Sequence, residues 1–271
     1  MKYLKLTLFA LIAAMGISLC ACNSEEEEVT PDITNPDDSE DNDDETNDED
    51  DDGTTDDDLL SIYRKIYGAS DIYLEGDFVV IKTDGTPDHK SPYYRNSPQY
   101  EEYNGTNPDW NQNPNVIAEF NFTFKIPLNP VKATNNAATR LGAIGVSLNG
   151  VAFFNQYAGP NNQPLTDEVN SFDQYNGHPT GTSMYHYHIE PLYLTATQGK
   201  DALLGFLLDG FPVYGVTENA ETVQNSDLDE FHGHTHATAD YPDGIYHYHI
   251  TDAAPYINGN GFYGTAGTVT Q

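Results

Sequence analysis

The chain has 271 residues, with 43 acidic and 11 basic side chains and a formal net charge of −32. A balance this negative argues against nucleic acid and anionic membrane surfaces as partners, and it is compatible with cations. Only two cysteines are present, Cys20 and Cys22. A metal site further along the chain must therefore be built from histidine and carboxylate rather than from thiolate.

The first residues are typical of an export signal. Lys2 and Lys5 precede an apolar run from Leu6 to Leu19, which is too short for a comfortable membrane span. The run ends in Leu19-Cys20-Ala21-Cys22, which resembles the lipobox of bacterial lipoproteins. We predict a signal peptide over residues 1–21 and a chain exported and anchored to outer-membrane lipid through acylated Cys22. The alternative is an ordinary secretory signal with a stray cysteine.

An acidic run follows the predicted lipidation site. Residues 23–58 contain 20 Asp and Glu and no Lys or Arg. Such a segment has too little apolar content to offset the entropy of ordering, so we predict a disordered tether over residues 22–58. Glu25 to Glu28 resemble the acidic signals of Bacteroidetes surface lipoproteins and imply a position facing the cell exterior.

Residues 59–271 are predicted to form one all-β domain, mainly antiparallel and sandwich- or barrel-like. A short helix is expected within Leu59 to Tyr67. Short runs of β-branched and aromatic residues then dominate, separated by Gly, Pro, Asn and Asp. Ile72 to Leu74 and Phe78 to Lys82 flank a turn, and Ala118 to Ile126 alternates as a half-buried strand does.

The domain contains an internal repeat, with units at about 141–190 and 204–251. Gly145 to Phe154 aligns with Gly205 to Tyr214, and each segment carries an Asn-Gly or Asp-Gly pair that favours a two-residue type I′ hairpin. A loop with Gly-His and then a Tyr-His-Tyr-His strand follow in both units. We expect the two units to pack about a pseudo-twofold axis.

Eight of the nine histidines fall in the two units. Successive side chains of a strand point to opposite faces, so the two histidines of each Tyr-His-Tyr-His strand share one face. Pairs of this kind can converge on zinc or copper. The candidate ligands in the units are His178, His186, His188, His232, His234, His236, His247 and His249. Residues that can orient these histidines are Asp173, Asp229, Tyr185, Tyr187, Tyr246 and Tyr248.

The motifs together resemble the YHYH-domain family from about Ile72 to Gly264. The resemblance rests on Asp84 to His89, Ile126 to Pro130, the two Gly-His loops and the two Tyr-His-Tyr-His segments. It implies His89 as a further candidate ligand. Tyr175, Phe231 and Phe262 stand in regions where many members have cysteines, so a disulfide there is absent. The resemblance names the domain and implies no established activity.

Besides acid–base catalysis by the histidines without a metal, four functions remain open from the residues alone. The first is binding of zinc or copper, and the second is a purely structural network of tyrosine and histidine. The third is a metal-dependent enzyme, which no His-Glu-x-x-His, Gly-x-Ser-x-Gly or phosphate-binding loop supports. The fourth is a module that binds glycans or surface partners, suggested by aromatic residues in the loop from Ser91 to Trp110. These loop aromatics are Tyr93, Tyr94, Tyr100, Tyr103 and Trp110.

Overall fold

A computed structural model describes residues 55–271. The predicted signal peptide, Cys22 and nearly all of the predicted tether lie outside the described residues. Helix α1 (Asp56–Leu60) begins three residues before the predicted domain start, because Thr55 and Asp58 form a reciprocal capping box. Over the described range, helices are too short or too polar to cross a membrane.

The described part contains sixteen strands and a second helix, α2 (Leu192–Gln198). The strands before α2 are β1 (Ala69–Glu75), β2 (Phe78–Thr83), β3 (Phe122–Pro127), β4 (Ala143–Ser147), β5 (Ala152–Phe154), β6 (Tyr157–Ala158), β7 (Gln163–Pro164), β8 (Gly177–Pro179) and β9 (Tyr185–Tyr187). Those after it are β10 (Leu203–Leu207), β11 (Pro212–Tyr214), β12 (Thr217–Glu218), β13 (Glu221–Thr222), β14 (Gly233–His236), β15 (Ile245–His249) and β16 (Thr268–Thr270). Short 3₁₀ turns span Tyr63–Lys65, Glu168–Ser171 and Asn225–Asp227.

Four strands form the smaller of the two main sheets, in the order β1-β2-β3-β16, and all its pairs are antiparallel. The predicted alternation in β3 is present, because Phe122, Phe124 and Ile126 are buried while the residues between them are half-buried. One face of this sheet therefore supplies core side chains.

Eight strands form the larger sheet, in the order β14-β15-β11-β10-β4-β5-β9-β8. Strands β4 and β10 pair antiparallel at its centre. On the β4 side, β4–β5 is antiparallel, β5–β9 is parallel and β9–β8 is antiparallel. On the β10 side, β10–β11 is antiparallel, β11–β15 is parallel and β15–β14 is antiparallel. The prediction of a mainly antiparallel all-β fold is confirmed. The order of antiparallel and parallel pairs is the same on both sides, which agrees with the tandem repeat in the sequence. The pseudo-twofold axis stays a prediction.

The two hairpins predicted at Asn149-Gly150 and Asp209-Gly210 differ from the prediction. A type I′ turn needs a positive φ at both central residues, but Asn149 and Asp209 do not have one. Only Gly150 (φ +83°) and Gly210 (φ +84°) do, and the turn closes from the Gly150 N–H to the Ser147 carbonyl oxygen. Each hairpin is thus a three-residue loop with glycine in the left-handed position, and the type I′ prediction is wrong.

Buried side chains from both main sheets form one hydrophobic core, in a sandwich-like arrangement. Val79 and Phe124 of the smaller sheet join Val146 and Phe206 of the larger sheet in it. The four tyrosines of the Tyr-His-Tyr-His segments belong to the same core, namely Tyr185, Tyr187, Tyr246 and Tyr248. Because side chains alternate along a strand, the histidines between them project from the other face of the larger sheet.

Candidate metal centres

Three histidines and one glutamate of the first repeat unit meet on the outer face of β8 and β9. The Nε2 atoms of His178 and His186 lie 3.1 Å apart, and those of His186 and His188 lie 2.9 Å apart. Glu168, from the 3₁₀ turn before β8, places Oε1 3.3 Å from the Nε2 atom of His178. We call this set the first cluster, consisting of Glu168, His178, His186 and His188.

The hydrogen bonds of the opposite ring nitrogens fix the protonation of these imidazoles. The Nδ1 atom of His186 lies 3.2 Å from the carbonyl oxygen of Met184, and that of His188 lies 2.5 Å from the carbonyl oxygen of Asn155. A carbonyl oxygen only accepts, so each Nδ1 carries the proton and each neutral ring has a bare lone pair on Nε2. Two bare lone pairs therefore face each other across 2.9 Å.

The ring of His178 differs, because both of its nitrogens lie beside side-chain oxygens. The Ser171 hydroxyl donates to the Glu168 carbonyl oxygen at 2.8 Å, and the same Oγ lies 2.7 Å from the Nδ1 atom of His178. The Nε2 atom of the same ring faces an acceptor, Oε1 of Glu168, at 3.3 Å. The ring proton of His178 can therefore lie on either nitrogen, whereas those of His186 and His188 lie on Nδ1.

Burial keeps His186 and His188 of the first cluster neutral. The side chains of His178, His186 and His188 are 2–3% exposed. Burial lowers the pKa of His186 well below its usual value, and the neighbouring histidines lower it further. Burial likewise lowers the pKa of His188 to about 4, against a partial rise from its bond to Asn155. The Nε2 atoms of His186 and His188 are therefore unprotonated near neutral pH.

The second repeat unit gathers its own histidines around Glu218, which lies on β12. Oε1 of Glu218 lies 3.1 Å from the Nδ1 atom of His236, and it lies 3.7 and 3.8 Å from the Nε2 atoms of His247 and His249. Oε2 lies 3.6 Å from the Nε2 atom of His234. We call this set the second cluster, consisting of Glu218, His234, His236, His247 and His249.

The histidines of β15 in the second cluster repeat the hydrogen bonds of the first. The Nδ1–H group of His247 donates to the Ile245 carbonyl oxygen at 2.9 Å, and that of His249 donates to the Gly215 carbonyl oxygen at 2.7 Å. Their buried Nε2 atoms, together with Nε2 of His234, have no hydrogen-bond partner among residues 55–271. Burial lowers the pKa of His247 and of His249 to about 4. Three buried acceptors thus converge on one carboxylate.

The two predicted aspartates bond tyrosines, Tyr185 and Tyr246, rather than histidines. Asp173 accepts a hydrogen bond from the Tyr185 hydroxyl at 2.8 Å, and Asp229 accepts one from Tyr246 at 2.9 Å. No hydrogen bond within residues 55–271 joins either carboxylate to a histidine ring. Both aspartates also accept bonds from backbone N–H groups of their own Gly-His loops. These bonds join each Gly-His loop to its Tyr-His-Tyr-His strand. They thereby position the histidines that the loop and the strand carry.

Two candidate ligands lie outside both clusters. The Nδ1–H group of His89 donates to the Lys90 carbonyl oxygen at 3.0 Å, and its Nε2 atom accepts from the Tyr187 hydroxyl at 3.2 Å. The Nε2 atom of His232 lies 3.0 Å from the Thr251 hydroxyl. Both rings therefore have the protein partners that the Nε2 atoms of His234, His247 and His249 lack within residues 55–271.

Sequence reasoning missed the two glutamates. Glu168 and Glu218 come from unrelated elements, a 3₁₀ turn in one unit and a short hairpin in the other. The repeat alignment could not pair them, and 43 acidic residues in the chain leave single glutamates without a distinguishing signal. Only the folded chain shows that each lies against histidine nitrogens.

The aromatic loop before β3 is largely used for packing. Tyr93 is fully buried, and the rings of Tyr103 and Trp110 stack on each other with centroids 4.3 Å apart. The Tyr94 hydroxyl donates to the Pro87 carbonyl oxygen, while Tyr100 is 48% exposed. The loop thus offers few free rings for sugar stacking, and the histidine clusters are the more specific candidate sites.

The family comparison covers both clusters. A sequence model described as YHYH protein matches residues 123–223 and residues 215–262, which together span slightly more than half of the chain. No curated protein and no solved structure matches significantly. The matched range contains every residue of the two clusters, so the clusters lie within the family domain. The chain belongs to the YHYH protein family.

Proposed function

We propose that this protein binds transition-metal ions, zinc or copper, at its two histidine clusters. The observation that carries the proposal is the pair of Nε2 atoms of His186 and His188, 2.9 Å apart with both Nδ1 protons already donated to carbonyl oxygens. Two acceptors at that distance repel each other unless a cation lies near both of them.

Protonation is the other way to relieve that repulsion, and burial opposes it. Both rings are 2% exposed, and their pKa values are lowered by burial, that of His188 to about 4. A charged imidazolium is costly in such surroundings. A metal ion near both Nε2 atoms would remove the repulsion and bind each lone pair. Binding of a metal ion is therefore favoured over binding of a proton.

The ligand chemistry favours zinc or copper over calcium and magnesium. Three imidazoles and one carboxylate form the first cluster, and imidazole suits zinc and copper, whereas calcium and magnesium take oxygen ligands. The Nδ1 hydrogen bonds to Met184 and Asn155 hold the rings in orientation, as the outer partners of metal-binding histidines do.

The place of action follows from the sequence and is also proposed. The lipobox-like segment ending at Cys22 and the acidic run after it favour a lipid-anchored protein that faces the exterior of the cell. Such a tether would hold the metal-binding domain away from the membrane surface, where it meets metal ions of the surroundings. Capture, storage and structural use of the metal are all compatible with the two clusters.

A titration of metal-free, untagged protein with Zn²⁺ tests the proposal. In competition with a chromophoric chelator at about pH 7.5, where free imidazole is largely neutral, we expect two equivalents to bind. The double variant His186→Ala/His188→Ala should bind one equivalent, and so should His247→Ala/His249→Ala. A matched control is His89→Ala, which removes a buried histidine outside both clusters and should keep two. Equal binding by all variants would refute the assignment.

A further inference from the structure

The two clusters differ in their access to solvent. The three histidines of the first cluster are 2–3% exposed, and only the side chain of Glu168 reaches the surface, at 27%. In the second cluster the side chain of His236 is 40% exposed, while those of His234 and Glu218 are 21% and 23% exposed. The second cluster is therefore open on one side.

The aromatic walls of the two clusters explain part of this difference. The ring of Phe154 stacks on His186 at 3.9 Å, and the ring of Phe172 lies parallel to that of His188. In the aligned positions of the second unit stand Tyr214, whose hydroxyl adds a polar group, and the smaller Leu228. The first cluster is enclosed by two phenylalanines, and the second is not.

A cavity of about 630 Å³ opens onto the second cluster. Glu218 and His249 line it from the cluster side. On another wall the Tyr214 hydroxyl lies 2.8 Å from the Thr238 hydroxyl and 3.0 Å from Oδ2 of Asp240. The cavity therefore joins the second cluster, through Glu218 and His249, to a polar wall that can hold a small molecule.

The charges around this cavity select the kind of molecule. Its acidic lining residues are Asp201, Glu218 and Asp240, against the single cation Lys65, which is itself paired with Asp240. With a divalent metal ion in the second cluster, the positive and negative charges around the cavity balance, which suits a neutral molecule. The wall hydroxyls and carboxylates can accept hydrogen bonds from donors on such a molecule.

We infer that a metal ion in the second cluster exchanges a ligand with this cavity, whereas a metal ion in the first cluster is closed to external ligands. The exchanged ligand is a small neutral molecule with a nitrogen or oxygen donor, water included. This inference rests on the proposed function, because both clusters must first hold metal. It separates the roles of the clusters, with a structural site in the first unit and an accessible site in the second.

Cobalt-loaded protein tests the inference, since the visible spectrum of Co²⁺ reports its ligands. Metal content is measured first, and imidazole is then added at about pH 8, where it is neutral. We expect a saturable spectral change that involves one of the two ions. The variant His186→Ala/His188→Ala should keep the change, and His247→Ala/His249→Ala should lose it.

A variant that blocks the cavity gives a second test, in which every candidate metal ligand stays in place. Thr217→Trp fills the cavity without removing a histidine or a carboxylate, and it should retain two cobalt ions and lose the response to imidazole. Two bound ions with no response, or a response that survives in His247→Ala/His249→Ala, would overturn the inference and leave the proposed function intact. Protein that binds no cobalt would overturn both.

Discussion

The Tyr248 hydroxyl lies 2.6 Å from Oδ2 of Asp209, the residue before the glycine of the second hairpin turn. In the first unit the Tyr187 hydroxyl meets Asn149 at the aligned position, at 3.1 Å. The turn residue of each hairpin thus holds the second tyrosine of its own Tyr-His-Tyr-His strand. The tyrosines fix the strand to the hairpin, and the strand in turn presents its histidines.

Removing the Tyr248 hydroxyl should destabilise the fold without changing metal content. Burial raises the pKa of Asp209 to about 6, against the lowering effect of its bond from Tyr248. In Tyr248→Phe the buried carboxylate loses that donor, which should cost about 1–3 kcal/mol in the free energy of unfolding measured with urea. Tyr67→Phe is the control, since the Tyr67 hydroxyl meets Asp88 at an exposed position, and a change within about 0.5 kcal/mol is expected. A similar cost in both variants would argue against this role.

The left-handed glycine of the first hairpin should not tolerate a side chain. A Cβ atom at Gly150 would lie 2.8 Å from the Gly68 carbonyl oxygen, and φ is +83°. Gly150→Ala should therefore lower the melting temperature, at a cost of at least about 1–3 kcal/mol. Gly181 is the matched control, because a Cβ atom there meets nothing within 4 Å and φ is not positive. If Gly181→Ala were as destabilising as Gly150→Ala, the turn assignment would be wrong.

Acid should destabilise the metal-free protein below about pH 6.5. The folded pKa of His188, His247 and His249 is about 4, below the unfolded value near 6.5. The unfolded chain then binds more protons, so the stability that is complete above pH 6.5 is lost as the pH falls toward 4. Asp173 and Asp209, whose pKa values burial raises, act in the opposite sense but are two groups against these three histidines. Urea unfolding across this window measures the trend, and rising stability toward pH 4 would contradict neutral buried histidines.

Each glutamate should affect only its own cluster. Glu168→Gln removes the charge beside His178, and Glu218→Gln removes the one beside His234 and His236. Each change should weaken one of two zinc-binding steps by at least about tenfold, as loss of groups that support a metal does. Competition titrations measure both steps, and each variant is the control for the other. Loss of both steps in either variant would indicate a general structural effect.

The sequence predicted the strands and the paired histidines because both depend on local order. Alternation in Tyr185 to His188 places the histidines on one face wherever the strand lies. The distinction between His89 and His178 was not predictable, because it depends on which ring nitrogens meet protein partners in the folded chain. Glu168 and Glu218 were missed for a similar reason, since contacts between distant segments bring them to the histidines. The turn type was missed because Asn-Gly suits both a type I′ turn and a longer loop.

Elemental analysis of untagged protein, after dialysis, tests the central claim most directly. Two clusters with converging bare nitrogens predict about two zinc or copper ions per chain, falling to about one when the histidines of either Tyr-His-Tyr-His strand are replaced by alanine. Protein that carries no transition metal, and takes up none when supplied with zinc or copper at neutral pH, would contradict the account.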